Sequence, residues 1–261
     1  MNYLEVGNID LWGSTLPDIS KAEIKLNGDI NGDVDSRGNV TRINKLMFGE
    51  NVKTITVHYL LPDEIEFDDN CNVTSIYPFW WRNLSTYPGD NPFLHTVRFG
   101  CKMKELKNRR SDYALFYGCD SLTTVIIPDN SELETITGKI FDACPLLKTV
   151  SIPGSTVKID GDLGSRVDTL IFKPSKYNLV LSGSNGYLFQ STHPSVIISQ
   201  RSIPPYYSST QTLTMKQHLS SYVDKMTLYV PEENYNDYLR SRSDYCYWGY
   251  IGKIKLISEL E

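Results

Sequence analysis

Residues Phe116 to Pro153 read FYGCDSLTTVIIPDNSELETITGKIFDACPLLKTVSIP, and the stretch contains one sentence twice. Phe116-x-x-Cys119 is followed by Leu122-x-x-Val125-x-Ile127-Pro128. At an offset of 25 residues, Phe141-x-x-Cys144 is followed by Leu147-x-x-Val150-x-Ile152-Pro153. Self-similarity at a period of this size marks a chain built by repetition of one small unit.

Working outward from this pair, the heart of the unit is an apolar-x-apolar triplet with a turn residue after it. It recurs as Ile24-Lys-Leu26, Leu46-Met-Phe48, Ile65-Glu-Phe67, Val97-Arg-Phe99, Val125-Ile-Ile127, Val150-Ser-Ile152, Leu170-Ile-Phe172, Val196-Ile-Ile198, Leu228-Tyr-Val230 and Ile254-Lys-Leu256. The final positions are spaced 22, 19, 32, 28, 25, 20, 26, 32 and 26 residues apart. Leucine-rich repeats run to about 20–29 residues, so most gaps fit and two carry insertions. In several units another apolar residue stands three before the triplet, as at Ile43, Leu94, Leu122, Leu147, Val167 and Ile251. Side chains alternate along a strand, so the outer residues of a triplet point inward and the middle one outward.

A second apolar pair follows after a turn: Val52/Ile55, Val73/Ile76, Met103/Leu106, Leu133/Ile136 and Val157/Ile159. These read as short strands on an opposite wall. Gly49, Asp68-Asp69-Asn70, Gly100, Pro128-Asp129-Asn130 and Pro153-Gly154 supply turns between them. No long helical period competes; the best helix candidate is Glu232 to Arg242, after Pro231.

The two F-x-x-C-x-x-L-x-x-V-x-I-P units resemble the BspA-like leucine-rich repeat family. So does the C-terminal sequence Pro204-Pro205, Leu228-Tyr-Val230-Pro231, Tyr238, Trp248 and Ile254. The resemblance is specific over Leu94 to Glu261; over residues 1–93 it rests on the triplet alone. It implies a curved, right-handed solenoid of about ten irregular repeats, β-rich with few helices, with parallel strands on its concave face. It implies secreted or cell-surface proteins that bind other proteins or matrix, and it brings no catalytic residues. The expected organisation is one continuous domain: a cap over 1–20, a repeat body over 21–231 and a cap over 232–261. Caps are needed because a terminal repeat exposes its core. The LEV and IDL runs of the first cap read as short strands. Tyr235, Tyr238, Tyr245, Tyr247, Trp248 and Tyr250 give bulk to the second.

Composition narrows the function. The chain has 261 residues, 40% hydrophobic and 22% charged, which is ordinary for a globular protein. A net charge of -5 and a pI near 5.5, with no basic stripe, argue against a nucleic-acid partner. No apolar run approaches the roughly 18 residues of a membrane span. The start MNYLEVGNIDLWGS has neither a basic nor an apolar leader segment. Either a leader has been removed or the chain is leaderless, which would fit a virion-associated or cytoplasmic protein. The five cysteines Cys71, Cys101, Cys119, Cys144 and Cys246 are odd in number and lack C-x-x-C spacing, against a disulfide framework or a zinc site. Cys119 and Cys144 read as small buried hydrophobes.

Four stretches are candidates for chemistry. Asp29, Asn31, Asp33 and Asp35 alternate as in a calcium loop, but Val34 stands where that loop needs Gly and Val40 where it needs an acid. A polar hairpin turn is the plainer reading. Tyr77, Phe79, Trp80 and Trp81 lie in a 32-residue gap; they are either anchors for a ligand or a plug that fills the wider spacing. Ile203-Pro-Pro-Tyr-Tyr207, in the other long gap, reads as an extended loop, and the family resemblance implies a structural rather than a binding role for its Pro-Pro pair.

The fourth stretch is the row of triplet centres: Lys25, Met47, Glu66, Arg98, Ile126, Ser151, Ile171, Ile197, Tyr229 and Lys255. It is apolar in the middle and charged at the ends, like a protein-binding patch with a polar rim, although strands favour Ile and Tyr in any case. The candidate ligand-binding residues are therefore Tyr77, Phe79, Trp80, Trp81, Arg98, Ile126, Ile171, Ile197 and Tyr229. His58, His95, His193 and His218 share no ligand spacing, and no nucleophile elbow, phosphate loop or H-E-x-x-H is present.

The expected function is non-enzymatic binding of a protein or glycan, without a cofactor, by an extracellular or cell-surface adhesion module. A structural or decoration component of a phage or appendage is one alternative. A parallel β-helix carbohydrate-active enzyme, whose turns have similar length, is another.

Overall fold

A short strand with alternating apolar residues can bury one face only if something packs against it. Each of the ten triplets overlaps a strand in the computed structural model, which describes residues 4–6, 23–26, 30–31, 41–52, 55–56, 60–71, 73, 91–108, 114–182, 188–208 and 214–260. In chain order the strands are β1 (Leu4–Val6), β2 (Glu23–Leu26), β3 (Ile30–Asn31), β4 (Thr41–Phe48), β5 (Ile55–Thr56), β6 (Leu60–Phe67), β7 (Thr96–Arg98), β8 (Glu105–Lys107) and β9 (Thr124–Ile126). They continue as β10 (Thr135–Lys139), β11 (Thr149–Ile152), β12 (Lys158–Asp162), β13 (Thr169–Phe172), β14 (Val180–Ser182), β15 (Val196–Ser199), β16 (Tyr206–Tyr207), β17 (Thr227–Val230) and β18 (Lys253–Leu256). The α-helices are short: α1 (Leu188–Ser191), α2 (Met215–Leu219) and α3 (Tyr235–Arg240). The expected helix at 232–242 is a 3-10 turn, Glu232–Asn234, running into α3.

Every ladder between these strands is parallel. The triplet strands form one wall, in the orders β1-β2-β4-β6-β7-β9 and β11-β13-β15-β17-β18. The second apolar pairs form another, β8-β10-β12-β14-β16, with β3-β5 as a further pair. Parallel neighbours need a crossover between them. From β7 to β16 each crossover contains a strand of the other wall, because successive strands alternate between the walls. The architecture is β-rich, built of parallel sheets with few helices, and compatible with a solenoid-like or β-helical winding.

The core lies between the walls. Leu46, Ile65 and Val97 are in register and buried from the first wall, as are Val150, Leu170, Ile197 and Leu228 further on. Leu106, Ile136, Ile159, Leu181 and Tyr207 face them in register from the second. Phe48, Phe67, Phe99, Phe116 and Phe141 make a continuous aromatic file, with centroids 4.9, 5.8, 6.2 and 5.4 Å apart. Burying each phenyl is worth about 1.5–3 kcal/mol, and each ring pair adds about 0.5–1.5 kcal/mol. Phe116 and Phe141 of the duplicated sentence are thus core pillars. Cys119 and Cys144 are buried free thiols, and the Cys144 thiol donates to the Phe116 carbonyl at 3.0 Å.

Two expected placements are corrected. The eighth triplet is Ile197-Ile-Ser199, not Val196-Ile-Ile198. Leu170 pairs with Ile197 and Phe172 with Ser199, so Ile197 and Ser199 point inward while Val196 and Ile198 face out. Ser199 tolerates burial because its hydroxyl shares a hydrogen bond with that of Tyr238. In the second wall, Thr156 rather than Val157 is buried before Ile159, and its hydroxyl donates to the Leu133 carbonyl at 2.8 Å.

The C-terminal segment adds side chains to the core. Trp248 is fully buried against Phe172, Phe189 and Tyr238, and its indole N–H donates to the Pro205 carbonyl. Tyr238 and Tyr247 are buried with Trp248, whereas Tyr250 is exposed and stacks on Tyr247 at 4.3 Å. In the N-terminal segment the LEV run is β1 and extends the first wall by pairing with β2, while the IDL run lies outside the described residues.

Candidate functional site

The outward row of the first wall falls into two register lines. Lys25, Met47, Glu66, Arg98 and Ile126 stand side by side on β2, β4, β6, β7 and β9. Ser151, Ile171, Ile198, Tyr229 and Lys255 form a second register line on β11, β13, β15, β17 and β18. Arg98 and Ile126 are thus neighbours in the first of these lines, and Ile171 and Tyr229 lie in the second. Ile197 lies in neither: it is wholly buried, and Ile198 takes its place. The error is one of phase. Val196, Ile197 and Ile198 are all β-branched, so apolar patterning alone cannot say which of them faces in.

A second outward row runs beside the first, two residues earlier in each strand. It consists of Glu23, Lys45, Glu64, Thr96 and Thr124, then Thr149, Thr169, Val196, Thr227 and Lys253. Sequence reasoning on triplets missed this row. Its signal was present, as a threonine directly before five of the ten triplets.

Charge divides the face into zones. On β4 and β6, Lys45 pairs with Glu66 and, at 4.0 Å, with Glu64. Arg98 on β7 reaches the Asp69 carboxylate at 2.7 Å and the Phe67 carbonyl at 3.1 Å. The Arg98 guanidinium holds the Asp69 carboxyl below the usual carboxylate range, and Asp69 in turn raises Arg98. The next five strands, β9, β11, β13, β15 and β17, carry no charge in either row. Their outward residues are Thr124, Ile126, Thr149, Ser151, Thr169, Ile171, Val196, Ile198, Thr227 and Tyr229. Charge returns on β18 with Lys253 and Lys255, and the Lys255 ammonium lies 5.8 Å from the Tyr229 ring centroid. Strands repeat about every 4.8 Å, so the uncharged strip is about 20 Å long and two side chains wide.

Ile126 is 42% exposed on this strip. The Ser151 hydroxyl oxygen, beside Ile171 in register, is buried and has no hydrogen-bond partner. The ladder is interrupted here, because no bridge joins β9 to β11. The second wall behind the gap is continuous, with β10 and β12 paired over five residues from Thr135 to Lys139.

The other candidates fall elsewhere. Tyr77, Phe79, Trp80 and Trp81 lie outside the described residues, as do Asp29, Asp33 and Asp35; of Asn31 only the β3 backbone is described. The residues just after the aromatic stretch are anchored. Asn91 is buried and donates to the Pro62 carbonyl at 2.9 Å, and the Arg42 guanidinium sits 4.1 Å from the Phe93 ring centroid while pairing bidentately with Asp63 at 2.7 and 2.9 Å.

Among the described residues no group of three or more His, Cys, Asp or Glu side chains could hold a metal ion. The cysteines there are free; burial pushes the Cys144 thiol up to about 12 and raises Cys71, Cys101 and Cys246 as well, the opposite of a reactive thiolate. Among the described residues no helix is long and apolar enough to cross a membrane. No family model matches the chain, and no curated protein or solved structure does either.

Proposed function

We propose that the chain is a leucine-rich-repeat solenoid of the BspA-like kind, acting as a non-enzymatic binding module of the cell surface or extracellular space. The observation that supports this is the uncharged strip on β9 to β17, bounded by charge at both ends. A face of aliphatic and hydroxyl side chains with a polar rim has the composition of a protein-binding patch. The resemblance in the F-x-x-C and L-Y-V-P units supports the repeat assignment and the location.

The reading is tested by presenting the intact chain to a panel of matrix proteins and to a glycan array, beside the strip variants Ile126→Lys and Ile171→Lys. Binding that both variants reduce at least about tenfold, with unchanged melting, is expected for a hot-spot residue in a desolvated patch. Binding that neither variant affects would place the ligand site elsewhere. Turnover of any polysaccharide by the purified chain would overturn the non-enzymatic reading.

A further inference from the structure

The strip is not symmetric in charge, and the asymmetry specifies its partner. At the β7 end Arg98 is already neutralised by Asp69 at 2.7 Å. At the β18 end Lys253 and Lys255 continue the two rows beyond Thr227 and Tyr229, and neither forms an ion pair among the described residues. Lys253 is exposed, and the Lys255 ammonium lies over the edge of the strip on the Tyr229 side. The rim therefore offers two uncompensated cations at one end and none at the other.

The strip itself carries one aromatic, Tyr229, among branched aliphatic and hydroxyl side chains. Sugar rings bind by stacking on aromatic platforms, whereas alternating Ile, Val and Thr match the apolar side chains of an extended polypeptide. We infer that the partner is a polypeptide whose apolar residues lie along β9 to β17 and whose carboxylates meet Lys253 and Lys255. The inference rests on the strip being the binding face. Rim charges of this kind set orientation and association rate more than they set affinity. The complex accordingly forms more slowly as salt rises, since exposed pairs are screened over about 8–10 Å at physiological ionic strength.

The test is selection of a random peptide library on the immobilised full chain, run in parallel on wild type, on Ile171→Lys and on Lys253→Glu/Lys255→Glu. Wild type is expected to enrich peptides that combine alternating apolar residues with Asp or Glu at one end. The double lysine variant should lower the ratio of acidic to basic peptides by at least about tenfold, the scale on which one charge pair of about 1.4 kcal/mol acts. Peptides that depend on Ile171 but show no acidic bias would overturn the inference and leave the binding face standing. Absence of any Ile171-dependent peptide would overturn both. If the double variant self-associates while its peptide selection stays acidic, the lysines serve to guard an edge strand, and the inference fails.

Discussion

Gly161 on β12 lies beside Gly138 on β10, and a Cβ built on Gly161 would stand 2.0 Å from the Gly138 carbonyl oxygen. Gly138 itself has φ of +83°, a region that glycine enters without strain. The two glycines let β10 and β12 pair over five residues, the longest ladder of the second wall. Gly161→Ala must push one strand away from the other. It should cost about 2–3 kcal/mol, in the upper part of the range for overpacking. For a chain of this size that lowers Tm by roughly 4–12 °C. Gly252→Ala is the control: the nearest atom to its Cβ would be Asp224 Oδ1 at 3.6 Å, an ordinary contact. Calorimetry in which both variants melt alike would refute the account.

Arg201 is fully buried and faces no carboxylate among its hydrogen-bond partners. Its Nη2 donates to the carbonyls of Pro153 at 3.1 Å and Thr156 at 2.9 Å, and Nη1 donates to the carbonyl of Tyr177 at 3.3 Å. One side chain thus ties together turns that follow three triplet strands. Burial lowers its pKa to about 10, the mark of a cation held by carbonyl dipoles alone. Arg201→Met removes a donor from all three carbonyls, of which that of Pro153 keeps the Thr156 N–H at 3.2 Å, and Arg201→Lys cannot span them with one ammonium. Both variants should lose about 3 kcal/mol or more. A denaturant midpoint for Arg201→Lys equal to wild type would show that the fork geometry is dispensable.

The two findings differ in how far they could be read in advance. The triplets were legible because alternation at period two survives any change of residue identity, and each of the ten overlaps a strand. The phase of the eighth was not. Val196-Ile197-Ile198 offers no polar residue to mark the outward side, and the inward Ser199 looks like a surface position until Tyr238, 39 residues further on, supplies its partner. Arg201 reads as a solvent charge for the same reason: its carbonyl partners lie up to 48 residues earlier in the chain. The strip on β9 to β17 was half legible. Its Ile and Tyr row follows from the triplets, but its lack of charge appears only when two rows are placed in register.

Cys144 makes stability sensitive to alkali. In the unfolded chain its thiol ionises near the ordinary 9.0; in the fold, burial among apolar neighbours pushes it up to about 12. Between these values the unfolded state gives up a proton that the folded state keeps. The contribution is intact below about pH 9 and is lost as pH rises toward 12. Cys71 and Cys246 shift in the same direction, and Arg201, whose pKa falls, acts in the opposite one. Comparison with Cys144→Ala isolates the one thiol. The variant should start less stable, because it leaves a small void and removes the thiol's hydrogen bond to the Phe116 carbonyl, yet decline less steeply from pH 9 to 11. Parallel decline in thermal melts of the two proteins would mean that Cys144 does not titrate in this window.

The gap between β9 and β11 should be visible in amide exchange. Thr124 donates to the His95 carbonyl, toward β7, and Thr169 donates to the Lys148 carbonyl, between β11 and β13. Backbone groups alternate in direction along a parallel strand, so the N–H groups of Val125, Thr149 and Ser151 are turned toward the interruption. Leu146, 52% exposed, stands 25 residues after Ser121 at the matching position of its unit, and the Ser121 hydroxyl donates to the Pro92 carbonyl. A leucine cannot make that tie. The first wall is therefore open at this step while β10 and β12 remain closed behind it. Amides of Val125, Thr149 and Ser151 should exchange at least about tenfold faster than those of Leu170 and Ile171, one strand further on, because opening costs less where no ladder must break. Equal protection at the two places would show that β9 and β11 are paired in solution and that the strip is one unbroken sheet.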